Sequence, residues 1–140
     1  MKETTHRILA LALFLLAAVA AHAAPAVIAN KGVAGVKLDA PALKAVFLGK
    51  KVSWDAGGRV VLAVLKEGPV AEEFLPKAVD MSPSSFRSYW RRLAMTGGGS
   101  APRSFDSEAE LLKFVADTPG AIGFVDGASA DASVAVLSIQ

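Results

Sequence analysis

The chain has no cysteine, and both of its histidines, His6 and His22, fall within the first 22 residues. From residue 24 onward there is therefore no disulfide, no thiol nucleophile, no imidazole base and no His/Cys metal-ligand set. Carboxylates alone hold Ca²⁺ only when they cluster with loop spacing. The nearest run, Asp126 to Asp131, offers two carboxylates and no glutamate. Charge of one sign is lacking too: 15 Lys and Arg stand against 13 Asp and Glu, a net of +2. Nothing in that balance demands nucleic acid or a membrane surface as partner. The paired carboxylates Glu72-Glu73 and Glu108/Glu110 occupy ordinary first-turn helix positions, where negative charge complements the helix dipole. With no base or nucleophile beside them, they make no acid–base machinery. The expectation is a protein that is not an enzyme and holds no cofactor or metal.

What is present begins with an address. Lys2 and Arg7 give a basic start, Ile8 to Ala20 is an unbroken apolar run, and Ala21-His22-Ala23 is a small-x-small site. Such a pattern is a secretory signal peptide, here residues 1–23 with cleavage after Ala23. The run of 13 residues is short against the roughly 20 that span a bilayer. No cysteine follows it, so no lipid anchor is expected. The mature chain, residues 24–140, is expected in the periplasm or secreted, with no membrane span. Removing Lys2, Arg7 and Glu3 leaves a net charge of +1. Its length suits one domain with a real core.

Along that domain, Ala26 to Ala29 reads as a short buried strand ending at Asn30-Lys31-Gly32. Asp39 is a helix N-cap with Pro41 in the first turn, and Leu43, Val46 and Phe47 follow at helical spacing up to Gly49. Lys50 to Gly58 is a loop carrying Trp54. Arg59 to Leu65 is the strongest strand, apolar on both faces. A helix is expected over Val70–Val79, its end disturbed by Pro76. Ser82-Pro83 opens another helix with a stripe of Phe86, Tyr89, Trp90 and Leu93, stopped by Gly97-Gly98-Gly99. Ser107 and Glu110 form a capping box for a helix through Ala116. A Pro-Gly turn, a strand Ala121–Val125 and a last strand Ser133–Ile139 complete the chain. Strands alternating with helices argue for an α/β sandwich with a mixed sheet.

Two blocks carry a family resemblance. Thr118-Pro119-Gly120-Ala121-Ile122-Gly123-Phe124-Val125 resembles the helix-to-strand turn of periplasmic phosphate-binding proteins, with Phe124 where those have tyrosine. Leu43-Lys44-Ala45-Val46-Phe47-Leu48-Gly49-Lys50, followed by Trp54 and Gly57-Gly58, is similar to a second segment of the same family. The family is the substrate-binding component of phosphate ABC transporters, with a PBP-like domain. The resemblance runs from about Val27 to Val125 and implies one α/β lobe of a type II periplasmic binding protein, with a mixed sheet flanked by helices. Such proteins close two lobes around the ligand, and a chain of this length is expected to supply one. It departs from the family after the central strand. The arginine, hydroxyls and helix-start amides that grip the anion there are replaced by Leu65-Lys66-Glu67-Gly68-Pro69-Val70. Pro69 lacks an amide donor, and Glu67 sets a like charge where a dianion would sit.

Two sets of candidate residues remain. Thr96, Gly97, Gly98, Gly99 and Ser100 with Arg103, joined by Asn30, offer flexible amides, hydroxyls and a guanidinium for phosphate or another small anion. The same glycines also suit a helix C-cap and loop. Arg87, Arg91 and Arg92 on one helix, with Trp54 in its loop, offer a face for a partner's carboxylates and an aromatic anchor. A solvated helix face is the plain alternative for the arginines. Two functions follow. The first is an exported solute-binding-like protein with weak anion binding, whose half-cleft needs a second lobe, a homodimer or an exported partner. The second is a periplasmic interaction module that binds no ligand. A concave basic pocket around Thr96–Arg103 would favour the first, and a flat apolar patch around Trp54 the second.

Overall fold

The computed structural model describes residues 23–140, so the expected signal peptide, apart from Ala23, lies outside the described residues. Five strands form one mixed sheet: β1 (Pro25–Ala29), β2 (Val61–Leu65), β3 (Arg103–Phe105), β4 (Ala121–Asp126) and β5 (Ala135–Leu137). Their spatial order is β3-β2-β4-β1-β5. β2 runs parallel to both β3 and β4, whereas β1 is antiparallel to β4 and β5. Four helices pack around it: α1 (Ala40–Phe47), α2 (Pro69–Val79), α3 (Pro83–Met95) and α4 (Glu108–Asp117). A single 3₁₀ turn, Lys31–Val33, follows β1.

Local chemistry sets most of the boundaries. Asp39 accepts from the Ala42 amide at 2.8 Å, Ser82 from Ser85 at 3.2 Å and Ser107 from Glu110 at 3.2 Å, so each starts its helix as an N-cap. The Ser107 box is one-sided. The carboxylate that reaches out from this first turn is Glu108, whose Oε1 accepts the Asp126 amide at 2.5 Å. Pro76 does not disturb α2 as expected. It lies inside the helix, which runs on to Asp80 in the left-handed region at φ 58°. Beyond the turn at Gly120, φ 81°, β4 is almost fully buried. Gly123 in that strand has no room for a side chain, since a Cβ there would come within 2.7 Å of the Ala63 carbonyl. The central strands touch at this point because glycine is there.

The core is one continuous cluster. Phe74 from α2 and Phe124 from β4 stack at 4.2 Å between ring centroids, and Phe47 from α1 packs edge-on against Phe74 and tilted against Phe124. Leu111 and Val115 of α4 are buried as well. Full burial of each such side chain is worth about 1.5–3 kcal/mol. Two expectations about strands change. Arg103–Phe105 forms β3, a short edge strand not among the expected elements, and β5 is confined to Ala135–Leu137. Among the described residues no helix is long and apolar enough to cross a membrane.

Candidate functional site

The parallel strands give the sheet two poles. At their carboxyl ends, β2 passes through Lys66-Glu67-Gly68 into α2, and β3 through Asp106-Ser107 into α4. Helix N-termini gather at this pole, the usual place for ligands in open α/β sheets. Its side chains are mainly acidic. Lys66 Nζ is drawn to Asp106 Oδ1 at 3.3 Å, Glu67 is exposed, and Glu108 is engaged by the Asp126 amide. The helix-end charge is thus already matched by carboxylates of the chain itself.

The amino ends look different. Residues 52–60 fold into a small hairpin, with Val60 N–H donating to Val52 O at 2.9 Å and Trp54 N–H to Gly58 O at 2.9 Å. Gly57 and Gly58 both take positive φ at its tip. Between this hairpin and the loop from α3 to β3 lies an open cleft of about 940 Å³. Lys51, Arg59 and Arg103 line it, together with the hydroxyl residues Ser53, Ser100 and Thr118, and no carboxylate residue does. Arg103 lies over the Phe114 ring, 5.4 Å from its centroid, which holds the guanidinium at the wall. Lys51 is paired with Asp55 at 2.9 Å, whereas Arg59 and Arg103 have no ion pair among the described residues. Three helix ends open here as well, since Gly49, Gly97 and Thr118 just beyond α1, α3 and α4 all line the cleft. Each such end carries roughly half a negative charge. The cations therefore offset the helices first, and only a modest positive potential is left over.

The residues singled out from the sequence divide accordingly. Gly97, Gly99, Ser100 and Arg103 come together in the cleft. Thr96 and Gly98 do not line it: Thr96 Oγ1 donates to Leu93 O at 3.0 Å, and Gly98 is pressed against the Leu93 side chain, closing α3. Asn30 is placed elsewhere. Its Nδ2 donates to the carbonyls of Val115 and Ala116, both at 3.0 Å, and its Oδ1 accepts from Gly32, so its polar atoms are spent tying β1 to the end of α4. Trp54, expected as an exposed anchor, is corrected. It is 5% exposed, and its indole N–H donates to Gly120 O at 3.0 Å, because the hairpin folds back over the Pro-Gly turn. Trp90 is likewise buried, with Nε1 donating to Phe47 O at 3.2 Å. Arg87, Arg91 and Arg92 are exposed on α3. Arg87 donates to Lys66 O at 2.6 Å, Arg91 borders a separate groove, and Arg92 lines neither that groove nor the cleft. Sequence reasoning missed Lys51, Arg59, Ser53 and Thr118. Nothing local marks them as partners of the 97–103 loop.

Similar architecture occurs in solved structures. An ABC-type phosphate transport receptor from Vibrio cholerae superposes with a TM-score of 0.57 at 12% identity, covering 83% of this chain and 46% of that one. A putative phosphate ABC transporter substrate-binding protein with bound phosphate from Clostridium perfringens gives a TM-score of 0.57 at 17% identity, covering 83% and 44%. The fold is that of a periplasmic binding-protein domain. The chain spans less than half the length of these two proteins. No protein-family model matches the sequence, and no curated protein matches it significantly.

Proposed function

We propose that this protein is an exported, solute-binding-like module related in fold to phosphate-transport receptors, which takes up phosphate or another small anion weakly in the cleft between the 52–60 hairpin and the 97–103 loop. The observation that carries this reading is a concave cleft lined by Arg59 and Arg103, with the hydroxyl residues Ser53, Ser100 and Thr118 and without a carboxylate residue. The departure at Glu67 and Pro69 supports looking away from the carboxyl pole, since a dianion there would meet like charge at close range. The cleft is open and flanked by three helix C-termini, so the ligand stays hydrated and affinity lies in the millimolar range, about 4 kcal/mol. Tighter capture requires a second surface to close over the anion: another lobe, a second copy or an exported partner.

A thermal-shift titration with phosphate, and sulfate as control, tests this. At about ten times the dissociation constant, binding stabilises by roughly 1.4 kcal/mol, a rise of several degrees for a domain of this size. Arg103→Ala should remove most of that rise without lowering the ligand-free midpoint. A midpoint indifferent to phosphate up to about 50 mM, some fifty times the expected constant, would overturn the reading.

A further inference from the structure

We propose that the exposed edge of β3, with the groove between β3 and α3, receives an extended acidic segment of another protein, which adds to the sheet as a further strand. β3 is the terminal strand of the sheet and pairs on one side only, with β2. Phe105 O accepts the Lys66 amide at 3.1 Å, so Phe105 turns its backbone toward β2. The alternation of a parallel ladder then turns the N–H and C=O of Ser104 outward. Ser104 is exposed and borders a groove of about 200 Å³. Leu65, Leu75, Phe86 and Trp90 form its apolar floor. That volume suits one large side chain, well below the range of a drug-sized ligand site. An open strand edge beside a single side-chain pocket is the arrangement by which sheets accept peptides: the backbone supplies affinity and the pocket selects the residue.

Charge decides the occupant. Lys66, Arg87 and Arg91 stand around the groove, and no carboxylate residue lines it. Lys66 is offset by Asp106, whereas Arg87 and Arg91 are not ion-paired among the described residues. Arg87 is held in place by its bond to Lys66 O, so little side-chain freedom is lost when a carboxylate meets it. A second copy of this chain, edge to edge, would set the same arginines against each other. An acidic partner segment is attracted instead. Residues two apart on a strand share a face, so the segment that fits carries one large apolar residue with Asp or Glu two positions to either side. This surface differs from the docking face expected from the sequence: Trp54 takes no part, and the strand edge replaces it.

The test is a selection of random octapeptides displayed on phage against protein produced from the full chain. Enriched peptides are expected to carry the acidic–x–apolar–x–acidic pattern. Their affinity should fall about tenfold in Arg91→Glu, and should be lost in Ser104→Pro, which removes the outward N–H without breaking the β2 ladder. Lys37→Glu, an exposed residue away from the groove, should leave it unchanged. Melting curves confirm that each variant is folded, and Ala94→Asp, which places a negative charge at the groove lining, replaces Ser104→Pro if that variant does not fold. Amide and Trp90 indole shifts on peptide titration should map to residues 87–105. No enrichment, enrichment of basic or uncharged peptides, or binding that survives both Arg91→Glu and the edge variant would overturn the proposal. Sedimentation showing a dimer that these variants dissociate would also overturn it, giving the edge to a second copy.

Discussion

The two poles of the sheet are built from the same parts and end with opposite character. At the carboxyl ends of β2 and β3, helices begin, with Glu67 and Asp106 just before them and Glu108 in the first turn of α4. At the amino ends, three helices finish and Lys51, Arg59 and Arg103 surround the cleft they open into. Each pole's side chains oppose the charge of its helix ends, as a stable α/β domain favours. The difference lies in the remainder. The carboxyl pole is neutralised by chain carboxylates, while the amino pole keeps two arginines without ion pairs among the described residues. A likeness of fold therefore does not by itself say which pole carries the spare positive charge. Charge placement must be read pole by pole.

The largest effect expected on this comparison is from Trp90→Ala. Trp90 is 5% exposed and lines both the basic cleft and the arginine-rimmed groove. Its loss should cost about 3–5 kcal/mol, measured by urea denaturation, because it removes the wall that the two cavities share. Next comes a matched pair of glycines. Gly120→Ala, at φ 81°, would drive a Cβ to 2.2 Å from the Arg59 carbonyl under the basic pole. Gly68→Ala, at φ 102°, meets nothing within 4 Å at the acidic pole. Both variants carry roughly 1–2 kcal/mol of backbone strain, and Gly120→Ala should lose clearly more because backbone must also move. Equal losses would mean the turn yields freely.

A smaller, ligand-dependent effect sharpens the charge contrast. The double variant Arg59→Gln/Arg103→Gln should abolish the phosphate-induced rise in midpoint, roughly 1.4 kcal/mol at ten times the dissociation constant. Glu67→Gln, at the other pole, should leave it intact. The reverse result would return the anion to the carboxyl pole. The smallest effect is local. Hydrogen bonds from the Ser133 hydroxyl and amide hold the Asp131 carboxyl below its ordinary range. A depressed carboxylate stabilises the turn at pH above the ordinary carboxylate value, and that contribution fades as pH falls through the lowered one. The Ser133 amide should therefore lose exchange protection at a lower pH than an ordinary Asp carboxylate would dictate, and Asp131→Asn should lose the pH dependence.

Much of the fold was legible because its signals are local. Asp39, Ser82 and Ser107 announce their helices by capping chemistry within three residues, and Pro119-Gly120 announces the turn into β4. Phe86 and Trp90 are buried as the helical stripe implies. Pro76 was less legible, since the helix continues through it to a left-handed Asp80. β3 was not legible at all: three residues at a sheet edge, two of them exposed, carry no periodicity. One wall of the cleft could be named beforehand, through Gly97, Gly99, Ser100 and Arg103. The facing wall comes mainly from residues 51–62, and no sequence spacing links the two.

The sequence by itself determined the four helices, the side-chain caps of α1, α3 and α4 and the apolar faces they must bury, because each rests on interactions within a few residues. It also determined which chemistries residues 24–140 lack, since a stretch without cysteine or histidine has neither thiol nor imidazole to offer. Only the tertiary structure decided that Trp54 lies under the hairpin, that Asn30 binds the end of α4, and that Arg59 faces the same cleft as Arg103. Those outcomes depend on which strands become neighbours in the sheet, and the long-range pairing that sets this leaves no local mark in the chain.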